Sequence, residues 1–238
     1  MIPGRKSEKN HEQREVVVDV NGAKLAGSLT LPQGVRGLVL FAHGSGSSRH
    51  SPRNRYVAEI LQSRGIGTLL FDLLTHSEES IDEMTGEFRF DIPLLAKRLV
   101  GATRWALRTE EIEGLKIGYF GASTGAGAAL VAAAELPEVV TAIVSRGGRP
   151  DLAGSALGKV HAPTLLIVGG EDKPVITMNQ KALAQLECSE KKLVTVPGAT
   201  HLFDEPGTLE KVAQLAAEWF ARHFSKAEKT RAEAAGKL

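Results

Sequence analysis

The sequence predicts an α/β architecture: a mostly parallel sheet with helices on both faces, preceded by an antiparallel hairpin. Three observations predict it. Residues 37–42, 67–71, 115–120 and 164–168 are short, almost uncharged apolar runs, as expected of strands covered on both faces. Segments of helical periodicity separate them: 52–64 places Tyr56, Val57, Ile60 and Leu61 on one face, and 91–108 places Leu94, Leu95, Leu99, Ala102 and Trp105 together. Asn21-Gly22 joins two strand-like segments, a hairpin signal because both turn residues must take positive φ.

Residues 1–14 are polar, without apolar period, and read as a flexible tail. Residues 15–20 and 24–31 form the hairpin, ended by Pro32-Gln33-Gly34. The strand 37–42 runs into the loop His43-Gly44-Ser45-Gly46-Ser47-Ser48. Helix 52–64 stops at Gly65, and strand 67–71 ends at Asp72. Residues 73–90, with Glu78, Glu79, Asp82, Glu83 and Glu87, read as a long acidic connection with a solvated face. Helix 91–108, strand 115–120, a small-residue helix over 126–134 and strand 139–144 follow. After the loop 145–150 come strand 164–168, helix 177–186, strand 192–196 and the amphipathic helix 208–224. Residues 225–238 are Lys/Glu/Ala-rich and read as a second tail. Neither a repeat nor a linker divides 15–224, so a single domain is expected there.

The chain has 238 residues and a formal charge of +1 at pH 7, too balanced to suggest nucleic acid or a membrane surface as partner. Cys188 is the one cysteine, which excludes an intrachain disulfide and a cysteine-based metal motif. No long uncharged apolar run predicts a transmembrane helix, and the N-terminus lacks a signal-peptide core, so a cytoplasmic protein is expected. His11, His50, His76, His161 and His223 have no metal-ligand spacing. Neither a metal nor a cofactor is expected, and a monomer and a homodimer are equally compatible with the text.

The chemistry concentrates around Gly121-Ala122-Ser123-Thr124-Gly125, a G-x-S-x-G pattern placed between a strand and a helix. Such a turn lifts a serine oxygen clear of the backbone, with the helix N-terminus aimed at the same place. The flanking glycines avoid collisions with neighbouring backbone. A serine hydroxyl needs a base, and the base needs an orienting group. His201 suits the base, with Asp172 as orienter and Glu171 as its competitor. Backbone N–H groups of Ser45 and Thr124 are the candidate oxyanion donors. His43 is read as a brace for its loop. In a parallel sheet all four loops gather at the carboxyl ends of the strands.

With these motifs, and Gly169-Gly170-Glu171-Asp172-Lys173-Pro174-Val175 and Pro197-Gly198-Ala199-Thr200-His201, the chain resembles the α/β-hydrolase superfamily, and within it the dienelactone-hydrolase-like hydrolases. The resemblance covers roughly 15–224. It implies the α/β-hydrolase fold and acyl chemistry through Ser123, Asp172 and His201. Dienelactone hydrolases proper use a cysteine nucleophile, whereas position 123 is serine, so a serine carboxylesterase is the expectation and the lactone is not carried over. Many relatives place a helical lid between the sixth and seventh strands; the segment 145–163 is too short for one. An open site for small acyl groups of a small-molecule ester is therefore expected. Thioester, amide or lactone hydrolysis and acyl transfer use the same machinery, and a non-catalytic binding scaffold is the alternative of another class. Arg49, His50, Arg146 and Arg149 are expected at the rim, where they would favour an anionic or polar substrate or else pair with Asp151 or face solvent.

Overall fold

A computed structural model describes residues 13–225. The hairpin consists of β1 (Gln13–Val20) and β2 (Ala23–Thr30), paired antiparallel with Val20 opposite Ala23. Asn21 and Gly22 take φ 53° and 89°, the turn geometry the dipeptide demands. The strands β3 (Gly37–Ala42), β4 (Gly67–Phe71), β5 (Lys116–Ala122), β6 (Val140–Arg146), β7 (Thr164–Gly169) and β8 (Lys191–Val196) follow in chain order. They form one eight-stranded sheet, β1-β2-β4-β3-β5-β6-β7-β8, antiparallel from β1 to β4 and parallel beyond. This is the α/β-hydrolase fold expected. β1 begins at Gln13, two positions into the stretch read as a tail. The rest of the two expected tails, 1–12 and 226–238, lies outside the described residues.

The helices are α1 (Pro52–Ser63), α2 (His76–Thr85), α3 (Ile92–Leu107), α4 (Thr124–Glu135), α5 (Lys173–Gln185) and α6 (Thr208–Ser225). Strand alternation sorts the core into two layers. Leu38 and Leu40 of β3 and Ile117 and Tyr119 of β5 face α3 and α4, with Ala182 of α5 in the same layer. Val39, Phe41 and Phe120 face α1 and α6, against Val57, Leu61 and Phe220. Gly118 exists for this second layer: a methyl group there would stand 2.7 Å from the Phe220 ring.

Two segments depart from expectation. The acidic connection 73–90 contains α2, started by a reciprocal capping box between Thr75 and Glu78 and stopped by left-handed Gly86. The Thr-x-x-Glu spacing was the available signal, hidden by the lack of an apolar face. Second, α5 starts at Lys173 rather than 177, with Pro174 in its first turn. Between β6 and β7 stands the short 3-10 segment Pro150–Lys159, and no lid domain.

Candidate active site

Ser123 occupies the turn between β5 and α4 with φ 49° and ψ −121°. A non-glycine residue there is strained, and the surroundings hold it. The Ser123 carbonyl accepts the Ala126 amide at 3.1 Å and the Arg149 amide at 3.0 Å, and its own N–H donates to Arg146 O at 3.2 Å. Its side chain makes no helix-capping bond, which leaves the hydroxyl for other work. The flanking glycines are sites of contact: a methyl at Gly121 would lie 2.5 Å from Ala126 Cα, and one at Gly125 would lie 2.2 Å from Ala42 O.

Two further loops are locked together beside it. Gly170 N donates to Val196 O at 2.8 Å and Glu171 N to Ala199 O at 2.9 Å. A side chain at Gly169 would meet the Ala199 and Thr200 carbonyls at 2.4 Å. This approach brings Asp172 Oδ2 within 2.6 Å of His201 Nδ1. Asp172 sits at the N-cap of α5 without capping it, so its carboxylate is directed to the imidazole. Glu171, its competitor, is exposed and contributes through its backbone. A residue that sequence reasoning missed, Glu205, ties down the histidine loop by accepting from Thr200 N at 3.1 Å and Thr200 Oγ1 at 2.6 Å.

The loop after β3 completes the arrangement. A methyl at Gly44 would stand 3.0 Å from Ser123 Cβ, so this backbone lies directly against the serine. Ser45 N–H donates to Thr124 Oγ1 at 2.9 Å. That amide is thus aimed at the start of α4. Thr124 N, in the first turn of α4, has no intrahelical acceptor. His43 is buried; its Nε2 accepts Leu73 N–H at 3.0 Å and its Nδ1 lies 3.0 Å from Gly44 O. Burial lowers its pKa below the usual 6.5, against the opposing effects of the Gly44 carbonyl and Asp72. A neutral ring with Nδ1 protonated satisfies both contacts.

Ser123 and His201 line one cleft of about 220 Å³ together with Gly44, Ser45 and Arg146. A second cavity, about 90 Å³, lies across the same loop between His43 and α2, lined by Leu73, Leu74 and Glu79. Of the four arginine and histidine candidates for the rim, Arg146 lines the cleft and the others do not. Arg49 pairs with Asp72 and lies 3.7 Å from Glu15; Arg149 pairs with Asp151 at 2.7 Å. His50 lines a separate groove beside β2 and α1. The Arg149–Asp151 pair is the alternative the sequence left open; the Asp72 partner of Arg49 was not foreseen. Arg53, at the start of α1, lines the cleft and was missed. No group of three or more acidic, histidine or cysteine side chains suited to a metal occurs among the described residues. No described helix is long and apolar enough to cross a membrane.

A family model for the dienelactone hydrolase family matches residues 70–229. The chain belongs to the dienelactone hydrolase family. The crystal structure of a dienelactone hydrolase from Anabaena variabilis ATCC 29413 is 63% identical, with a TM-score of 0.88 over 90% of this chain and 98% of that one. A protein of Mycobacterium tuberculosis strain H37Rv, named "Putative phosphoribosyl transferase", is 58% identical over 88% of this chain. This dienelactone hydrolase family member spans 46% of that protein, about half its length. Est1E from Butyrivibrio proteoclasticus, at 19% identity and a TM-score of 0.73 over 89% of this chain, shares the fold. Family and fold make the chain an enzyme of the hydrolase type.

Proposed function

We propose that this hydrolase cleaves carboxylic esters of small or short acyl groups through an acyl-serine intermediate. The observation that carries the reading is the 2.6 Å Asp172–His201 contact in the cleft that also holds Ser123 at a strained strand-to-helix turn. Asp172 holds the Nδ1 proton, which leaves Nε2 of His201 as the base. Ser123 Oγ attacks the carbonyl carbon while His201 takes its proton. The resulting oxyanion accepts from Thr124 N–H and Ser45 N–H, with the Thr124 hydroxyl giving up the latter. The ester C–O bond breaks as His201 protonates the leaving alcohol. Water, deprotonated by His201, then attacks the acyl-serine; the acid departs and Ser123 regains its proton.

Thioesters, amides, lactones and acyl acceptors other than water fit the same steps, so relative rates on matched substrates decide among them. Phosphoribosyl transfer, in the name of the mycobacterial relative, is not adopted, because the chain spans half of that protein and the Asp172–His201 contact in the cleft that holds Ser123 supports acyl chemistry instead. The test is fluorophosphonate labelling with peptide mapping, beside turnover of p-nitrophenyl esters of increasing chain length. Label on Ser123 with turnover falling beyond short chains is expected. A folded sample that takes no label would refute the reading in favour of a binding scaffold.

A further inference from the structure

One peptide group stands between α5 and the serine turn. It joins Gly148 to Arg149, in the loop after β6. Its N–H donates to the Ser123 carbonyl at 3.0 Å. Its C=O, on the opposite edge of the same rigid plane, accepts from Asn179 Nδ2 at 2.9 Å. Asn179 thus grips one edge of a plate whose other edge holds Ser123. The φ of 49° at Ser123 needs such holding. The same loop supplies the acceptor for the Ser123 N–H, Arg146 O at 3.2 Å.

Asn179 is placed for that grip rather than for packing. It is fully buried in α5, between the apolar positions Val175 and Ala182. Its other amide hydrogen goes to Val175 O at 2.8 Å, one turn back in its own helix. The two carbonyls fix which end of the side-chain amide is nitrogen. Its Oδ1 is buried with no hydrogen-bond partner among the described residues. Burying an amide with one end unmatched costs stability. Two helical turns separate Asn179 from Asp172 at the N-cap, so both lie on one side of α5. A single helix therefore carries the carboxylate that meets His201 and the anchor of the serine turn. The gripped loop also reaches the histidine: a methyl at Gly147 would stand 3.1 Å from His201 O. Gly148 must be glycine to pass, since a methyl there would lie 1.9 Å from Ser145 Oγ and 2.6 Å from Ala126 Cβ of α4. That same lack of a side chain leaves its backbone free to swing once the asparagine amide is gone.

We propose that Asn179 is a positioning residue for the nucleophile: through the Gly148–Arg149 peptide it holds the Ser123 turn in place against the Asp172–His201 pair. The inference rests on the serine-hydrolase reading and adds to it a residue of α5 that does not line the cleft.

The experiment measures fluorophosphonate labelling of Ser123 over a range of probe concentrations, with thermal melts, in wild type, Asn179→Ala, Asn179→Leu and Ala182→Gly. Ala182→Gly weakens the same buried face of α5 without removing a bond to Gly148, and controls for lost stability. In Asn179→Ala the limiting labelling rate should fall about 10- to 100-fold, as expected for a nucleophile displaced by up to about 1 Å, while the probe concentration giving half that rate changes less than about threefold. Asn179→Leu is similar in shape and has no donor, so it should be slowed in the same way; it carries the test if Asn179→Ala does not fold. Ala182→Gly should melt lower than wild type and keep the wild-type limiting rate. Limiting rates near wild type in the Asn179 variants overturn the proposal. An equal loss of rate in Ala182→Gly overturns it too, because Asn179 would then act through stability alone. Absence of label on Ser123 in wild type overturns the serine-hydrolase reading beneath it.

Discussion

Replacing Gly125 by alanine tests the geometry on which the site depends. The added methyl would stand 2.2 Å from Ala42 O and 2.4 Å from His43 O, where ordinary contact begins at 3.4 Å. Both obstacles are backbone at the end of β3, so no rotamer change relieves them. The start of α4 must retreat by about 1 Å, or the end of β3 must bend away. Overpacking of this kind costs about 1–3 kcal/mol. For a chain of this size that corresponds to a fall in melting temperature of about 3–10 °C. The same retreat separates the Thr124 amide from the Ser45 loop, and misplacement by about 1 Å costs roughly 100-fold in rate. Thermal melts by circular dichroism, with the rate of fluorophosphonate labelling, read both effects. Gly158→Ala is the control, because a methyl there has nothing within 4 Å. A Gly125→Ala protein that melts and labels like wild type would refute the argument that this glycine sets the distance between helix and loop.

Ser123→Gly removes the proposed nucleophile and relieves φ 49°; strain of about 1–3 kcal/mol, less the entropy cost of glycine, predicts melting about 2–4 °C higher with no labelling. A lower melting point would show that the turn is unstrained. Asp172→Asn should leave the melting point within about 2 °C while ester turnover falls about 100- to 10,000-fold, since in the proposed mechanism its carboxylate orients His201 and stabilises its charged form; turnover near wild type would return attention to Glu171. His43 has a folded pKa below 6.5, so the unfolded chain takes up a proton there that the folded chain refuses. Its contribution to stability is therefore present above pH 6.5 and lost as pH falls below it toward the folded pKa. Urea midpoints at pH 7.5 and 5.0 should differ more in wild type than in His43→Gln, and equal differences would show that His43 does not titrate with unfolding.

Much of this protein is legible along the chain. Buried parallel strands are covered on both faces, so β3, β4, β5 and β7 announce themselves as short uncharged runs. Asn21-Gly22 determines its turn because few residues accept positive φ in succession. The serine turn and the glycines at 121 and 125 are local requirements too, met by residues adjacent in sequence. Helix α2 escaped because it is held by caps rather than by an apolar stripe.

Tertiary structure alone decided whatever depends on groups distant in sequence. Asp172 rather than Glu171 meets His201 because the Gly169-Gly170 backbone seats itself against the loop 196–200, which rotates one carboxylate inward and the other out. Arg49 belongs to a loop near the site, but Asp72, 23 positions away, claims its charge. Arg146 and Arg53, 93 positions apart in number, line one cleft; Arg53 pairs with the exposed Asp204, and Arg146 has no ion-pair partner among the described residues. Coulombic pairing acts through space over a few ångströms, and sequence spacing carries no record of it.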